Sequence, residues 1–206
     1  MCDHSDEKYK GKRLYTVDEA LLEDFIVNTY HPSNKKMPVG LKYACSMGDK
    51  ESYTRIKLEL ETSGVYKNKK ENGGYSLQLK FDRNTRRLFD RMKRHLVRDI
   101  KNAGSVPMEW QWPYMKEQDL EDAFHPIYKS DPKFGDTTFI KLDGWKDRVY
   151  CNLHDNDVEE LIGKRGIATA ILILKWVHLS GGSGPSYEPK GKKIYLELAI
   201  SDLLIE

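Results

Sequence analysis

The sequence predicts a β-rich α+β domain, on three observations. Several short segments alternate apolar and polar residues with a period of two. One long segment, residues 84–101, repeats its apolar residues at helical spacing instead. Glycine, proline and asparagine cluster between these segments and punctuate them. With 206 residues, 39% of them apolar and 32% charged, the chain is long enough to bury one sizeable core. Residues 1–13 are polar and read as a flexible N-terminus, and residues 14–206 read as a single domain.

The elements follow in order. Thr16, with Glu19 three residues later, signals the start of a short helix over residues 16–30. Residues 31–40 contain Pro32, Asn34, Pro38 and Gly40 and read as a loop. In residues 53–61, Thr54, Ile56, Leu58 and Leu60 alternate with charged residues, as in a half-buried strand. Residues 75–81 place Tyr75, Leu77, Leu79 and Phe81 on one face of a second strand. The lysine-rich turn between them, residues 64–74, makes the pair a β-hairpin with a basic tip. The helix of residues 84–101 follows, with Asn84 as the expected N-cap and Gly104 and Pro107 beyond its end. Residues 108–114 place Trp110 and Trp112 on the same side of an extended segment. Residues 118–123 suit a helical turn.

A second β section begins near His125. Residues 138–142 and 148–153 bracket Asp143-Gly144 as a hairpin, with Trp145 near its tip. Residues 156–162 suit a short helix. Residues 166–179 are nearly continuously apolar and β-branched, as a strand buried on both faces should be. A Gly/Ser/Pro loop spans residues 180–193, and residues 194–205 form a closing strand. Strand, turn, strand, short helix, long strand, loop, strand is an order that suits a small Greek-key barrel of the oligonucleotide-binding (OB) kind. The expected fold is therefore an OB-like Greek-key barrel elaborated by a basic amphipathic helix and N-terminal segments.

Composition narrows the function classes. The net charge is only +2, so affinity for a polyanion must come from local clustering. Cys2, Cys45 and Cys151 lie far apart with no CxxC, which fits a reducing compartment and no zinc site. The N-terminus carries no secretory signal, and the longest apolar run, residues 167–174, is too short to cross a membrane. A soluble, intracellular protein with no membrane partner is expected.

Catalytic motifs are sparse. His154, Asp155, Asp157, Glu159 and Glu160 form a dense acidic patch that a metal-dependent nuclease could use. A helix cap at Asp155 or Asn156, with the glutamates favouring the first turn, accounts for the same residues and is the preferred reading. Gly181-Gly182-Ser183-Gly184 leads into Pro185, not into a helix that could hold phosphate. Neither Cys45 nor Cys151 has a histidine at a recognisable spacing. The expectation is a non-enzyme with no metal and no cofactor.

Binding chemistry is better represented. Arg87, Arg91, Arg94, Arg98 and Lys101 share one side of the long helix, opposite Leu88, Phe89, Met92, Leu96 and Ile100. A solvated face that happens to be basic competes with a phosphate-binding face. Aromatic residues stand among cations at the hairpin tip (Lys67, Lys69 and Lys70, after Tyr66), at Trp110 and Trp112, and at Trp145 with Arg148. The glycine-rich loop adds Tyr187, Lys190, Lys192 and Lys193. Cations that follow a backbone and rings that stack on bases are what single-stranded nucleic acid needs, each stack contributing about 1–3 kcal/mol. Core or edge packing is the competing account of Trp110 and Trp112, and core packing that of Trp176.

Four stretches carry a family resemblance: FHPIYK at residues 124–129, TTFIKL at 137–142, LIGKRGIATAILILKWVHL at 161–179 and KKIYLELAISDLLIE at 192–206. Together they resemble the OB-fold single-stranded-DNA-binding proteins of large DNA viruses and phages, over the last 40% or so of the chain. The resemblance implies that DNA crosses the barrel in a basic, aromatic-lined groove without sequence preference. It implies a role in replication, recombination or repair, in the host nucleus or a cytoplasmic replication site if the protein is viral. Single-stranded DNA is the expected partner, with RNA as a second candidate, alongside replication proteins and self-association. Many members end in an acidic tail that recruits partners, whereas this sequence stops at Glu206. The alternatives are a viral structural or accessory protein that binds protein partners, and a metal-dependent nuclease around Asp155 and Asp157.

Overall fold

A computed structural model describes residues 13–31, 40–47, 54–69, 74–102, 115–145, 148–180 and 193–206. Among them the chain forms strand-rich α+β structure dominated by one mainly antiparallel sheet. Strand β1 (Leu14–Thr16) leads straight into helix α1 (Val17–Leu22). Thr16 caps this helix as expected: its hydroxyl accepts from the Glu19 amide while the Glu19 carboxylate accepts from the Thr16 amide. The helix stops at Leu22, well short of residue 30. Glu23 is already extended, and the β-branched and aromatic sequence FIVNTYH becomes strand β2 (Phe25–His31), paired with β3 (Gly40–Met47). The loop expected over residues 31–40 otherwise lies outside the described residues.

Strand β4 (Arg55–Lys67) buries Ile56, Leu58 and Leu60 on the face that the alternation assigned to the core. It runs further than expected. A register shift between Thr62 and Gly64 lets the strand turn and continue to Lys67. Gly64 sits at φ +104°, and a side chain there would meet the backbone of Gly163 and Lys164 at 2.5–2.8 Å, so the close approach of the two segments demands glycine. The partner, β5 (Tyr75–Lys80), buries Tyr75, Leu77 and Leu79 as its alternation requires.

Helix α2 (Arg83–Lys101) begins one residue earlier than expected. Asp82, not Asn84, is its N-cap, accepting from the Thr85 amide at 2.7 Å. A carboxylate satisfies the bare helix start better than a neutral amide. Asn84 instead donates to the Asp18 carboxylate. Leu88, Phe89, Met92, Leu96 and Ile100 are buried, and the Phe89 ring stacks on Phe81 at 5.1 Å. Helix α3 (Glu117–Ala123) buries Leu120 and Ala123.

The second β section departs from the expected hairpin. Strand β7 (Gly135–Lys141) pairs with β5 along one edge and, over Gly135–Thr137, with β6 (Lys129–Asp131) on the other, and residues 148–153 pair with neither edge. Instead β8 (Gly144–Trp145) and β9 (Arg148–Val149) make a two-residue ladder of their own. A 3-10 turn, Val158–Leu161, replaces the expected helix. Asp157 caps it in place of Asp155 or Asn156: His154 and Asp155 are in left-handed backbone, whereas Asp157 is extended and its carboxylate accepts from the Glu159 amide.

Strand β10 (Gly166–Ser180) organises the molecule. One of its edges pairs first with β4 and then with β3; the other pairs with β11 (Lys193–Ile205) along its whole length. Its consecutive Leu172, Ile173 and Leu174 are all fully buried, so both faces are covered as the sequence predicted. The strand order is β2-β3-β10-β4-β5-β7-β6, with β1 parallel to β4 and β11 beyond β10. The outer edge of β11 makes isolated contacts only. Ile194 bridges Phe124, Ile200 bridges Leu142 in parallel, and Asp202 bridges Asn152. The Asp143 amide donates to the Ile200 carbonyl at 2.7 Å. No ladder joins β7 to β11 among the described residues, so the sheet is not closed.

Candidate functional site

The gap between β7 and β11 is where side chains, not backbone pairs, fill the space. A cleft of about 1160 Å³ opens there. Strand β7 supplies Phe139, Lys141 and the following Asp143, and β11 supplies Tyr195 and Glu197. Tyr75, His125, Arg148, Lys175 and His178 complete its polar and aromatic lining.

The alternation of β7 sets the geometry. Thr138, Ile140 and Leu142 point into the core, so Phe139 and Lys141 must point out. Phe139 is 59% exposed, a large value for a phenylalanine, and meets the 40% exposed Tyr66 edge-to-face at 5.5 Å. Two adjoining, solvent-facing rings make a platform on which a flat ligand can stack. The Tyr66 hydroxyl pairs with Ser63 at 3.0 Å, which steadies its ring.

Charge around the cleft is of two kinds. Lys175 reaches Asp143 at 2.7 Å, and with both side chains mostly buried the pair is neutral and positional. Lys141 and Arg148 are exposed and make no ion pair among the described residues. Lys67 lies over the Tyr75 ring at 5.6 Å at the β4–β5 tip, with exposed Lys69 two residues on. The Tyr75 hydroxyl donates to Glu159 at 2.6 Å, and this bond holds its pKa above the usual tyrosine value. His125 and Tyr195 stack at 5.1 Å, with His178 on the same tyrosine at 6.2 Å.

Of the residues singled out in the sequence, Arg148 lines this cleft; Lys67 lies over Tyr75, which also lines it, and Lys69 follows at the hairpin tip. Trp145 is placed by its backbone in β8, opposite Arg148, and Lys193 is exposed at the start of β11. The basic helix face divides. Arg91 donates to the Leu21 carbonyl and approaches Asp24 at 3.7 Å, and Lys101 donates to the Met115 carbonyl, so both serve the packing of α2. Arg87, Arg94 and Arg98 remain exposed, but none of them lines the cleft. Lys70, Trp110, Trp112, Tyr187, Lys190 and Lys192 lie outside the described residues. Trp176 is half-buried in β10. Phe139 and Tyr195 were not singled out in the sequence. Once Ile140 is fixed inward, the period-two alternation by itself exposes Phe139; nothing local marks Tyr195.

The acidic patch is already engaged. Asp157 accepts from the Glu159 amide, Glu160 accepts from the Asp157 amide, and Glu159 holds Tyr75. Asp202 ties His154 at 2.8 Å to Asn152 at 2.9 Å. Among the described residues no three His, Cys, Asp or Glu side chains are grouped to hold a metal ion. Burial, reinforced by Asp202 and Asp143, pushes the Cys151 thiol well above its usual range, which disfavours the reactive thiolate. No helix among them is long and apolar enough to cross a membrane. No family model, curated protein or solved structure matches this chain.

Proposed function

We infer that the protein binds single-stranded nucleic acid, with DNA as the expected form, without sequence preference, across the β7–β11 cleft. The exposed Phe139–Tyr66 platform carries this reading. An apolar ring pair facing solvent, with Lys141 on the same face of β7 and Arg148 lining the same cleft, has the two features that a single strand requires. Rings stack on bases whatever their identity, and cations follow the phosphates.

The strand neighbours support an OB-like architecture for this site. With β4, β5, β7, β10 and β11 taken as strands one to five, one neighbours two, two neighbours three, and four neighbours both one and five. Three and five meet in parallel at Leu142 and Ile200, and the 3-10 turn falls between three and four. OB barrels are partly open and bind oligonucleotides on the face of strands two and three, beside the loop joining one and two and the loop joining four and five. Phe139 lies on that face, and Lys69 lies in the first of those loops. The order also draws the hairpin upstream of α2 into the barrel, so the resemblance would extend beyond the last 40% of the chain.

Fluorescence anisotropy with a labelled dT oligonucleotide at two salt concentrations tests the reading. Salt-sensitive binding that weakens about tenfold or more in Phe139→Ala is expected. Absence of dT binding, or an affinity indifferent to Phe139, would overturn it and favour a protein-binding role.

A further inference from the structure

Helix α2 presents a second cationic surface of a different kind from the cleft. At 100° per residue, Arg83, Arg87, Arg94 and Arg98 fall within an arc of about 60°. All four are exposed, and none has an acidic partner within ion-pair distance among the described residues. The helix has acids that could have neutralised them. Asp90 is occupied by the Tyr128 hydroxyl at 2.8 Å and by Arg86 at 3.7 Å, and Asp99 is partly buried with its pKa raised by that burial. The four guanidinium groups therefore form an unbalanced stripe about 22 Å long, from fifteen residues at 1.5 Å each. Arg83 and Arg87, and again Arg94 and Arg98, are spaced about 6 Å apart along the axis. This spacing lets neighbouring arginines grip successive phosphates of one strand.

The stripe carries no exposed phenylalanine, tyrosine or tryptophan. Phe89 is buried in the core, and the one other ring of α2, the half-buried His95, is tied to Arg98 at 2.9 Å. A surface of arginines without large exposed rings reads phosphates, and so does not need its ligand's bases unpaired. Duplex nucleic acid, with one negative charge per 1.7 Å or so of axis, is the ligand it fits. Helix α2 is also tied to the strand that carries Phe139. Arg86 of α2 reaches Asp136 of β7 at 3.3 Å, and Asp136 stands three residues, about 10 Å of strand, from Phe139.

We propose that the arginine stripe of α2 docks a nucleic-acid duplex while the cleft holds the single strand leaving it, so that the protein prefers a duplex with a single-stranded tail. The single-strand half rests on the reading of the cleft given above; the duplex half does not. Linking the two ligands makes the second contact intramolecular, and this raises affinity without any new interaction.

Anisotropy titrations with three labelled probes test it: dT20, a blunt 20-base-pair duplex, and that duplex carrying a dT20 tail. The tailed duplex should bind at least about tenfold tighter than either other probe. The variant R83Q/R87Q/R94Q/R98Q should lose duplex binding and the advantage of the tail, and leave dT20 binding unchanged. Its slope of log K against log salt on the tailed duplex should fall by roughly three to four. The matching lysine variant should restore most duplex binding, which a merely misfolded protein would not do. Wild-type duplex affinity in the glutamine variant, no duplex binding by the wild type, or a tail that gives no advantage each overturns the proposal. Loss of dT20 binding with duplex binding intact, in the wild type, would overturn the cleft reading and leave the stripe's duplex site standing.

Discussion

The two edges of β11 differ in everything but their sequence. One edge is laddered to β10 from Ala168–Ile205 to Ser180–Lys193, interrupted only by two register shifts. The other touches its neighbours at three isolated bridges. Along the ladder, backbone groups satisfy one another and the side chains between them can be aliphatic and closely packed. Along the open edge, Lys175–Asp143, His125–Tyr195 and the outward Phe139 occupy the space a ladder would have filled. Stability is concentrated on one side of the strand and ligand chemistry on the other, because a saturated ladder has nothing left to offer a ligand.

Mutations on each side should separate these roles. Leu172→Ala, in the fully buried ladder, should cost about 2–5 kcal/mol in urea unfolding. Leu196→Ala, half-buried in the cleft wall, should cost clearly less. Equal losses would mean that the gap is packed as tightly as the ladder.

Phe139→Ala should show the opposite pattern. Single-strand binding should weaken by about 1–3 kcal/mol, while the urea midpoint barely moves, since the ring is mostly exposed. A large stability loss with intact binding would reassign Phe139 to the core.

Asp157→Ala, at the cap of the turn that leads into β10, should cost at most about 1 kcal/mol and leave oligonucleotide binding nearly unchanged. Nuclease activity with Mg²⁺ that disappears in this variant would instead give the acidic patch a catalytic role.

The smallest effect expected is a pH dependence. Burial, and then the hydrogen bond to Asp90, raises the Tyr128 pKa to about 12, whereas an unfolded tyrosine titrates near 10 or so. The folded state therefore favours the neutral phenol. Its contribution is complete below about pH 10 and is lost as pH rises towards 12. The raised values of Tyr75 and Cys151 act in the same direction. Tyr128→Phe should flatten the alkaline loss of stability measured by denaturant titration, and by more than Tyr75→Phe in the cleft does. An unchanged slope would place Tyr128 in a more open setting.

Much of this was legible locally. The Thr16–Glu19 capping box, the alternation in β4 and β5, the double burial of β10 and the apolar side of α2 follow from spacing alone, since period two and period 3.6 translate directly into faces. What failed locally was competition between neighbours. Asp82 and Asn84 can both cap a helix, and Asp155, Asn156 and Asp157 can all cap a turn; the backbone angle that tertiary packing imposes selected Asp82 and Asp157. Strand partners failed for the same kind of reason. Residues 138–142 and 148–153 look like a hairpin, but residues 138–141 pair with β5 and residues 148–149 with β8.

The candidate site divides along the same line. By itself the sequence determined that cations and rings are plentiful and that α2 has a basic side. Only the tertiary structure decided which of them act together. It turned Arg91 and Lys101 inward to the carbonyls of Leu21 and Met115. It left Arg83, Arg87, Arg94 and Arg98 in solvent, and it brought Tyr66 and Tyr195, 129 residues apart in sequence, to neighbouring sides of Phe139 and its cleft. Spacing along a chain fixes the face a side chain occupies; the partner across that face depends on strand order, and strand order is set by contacts between residues far apart in the chain.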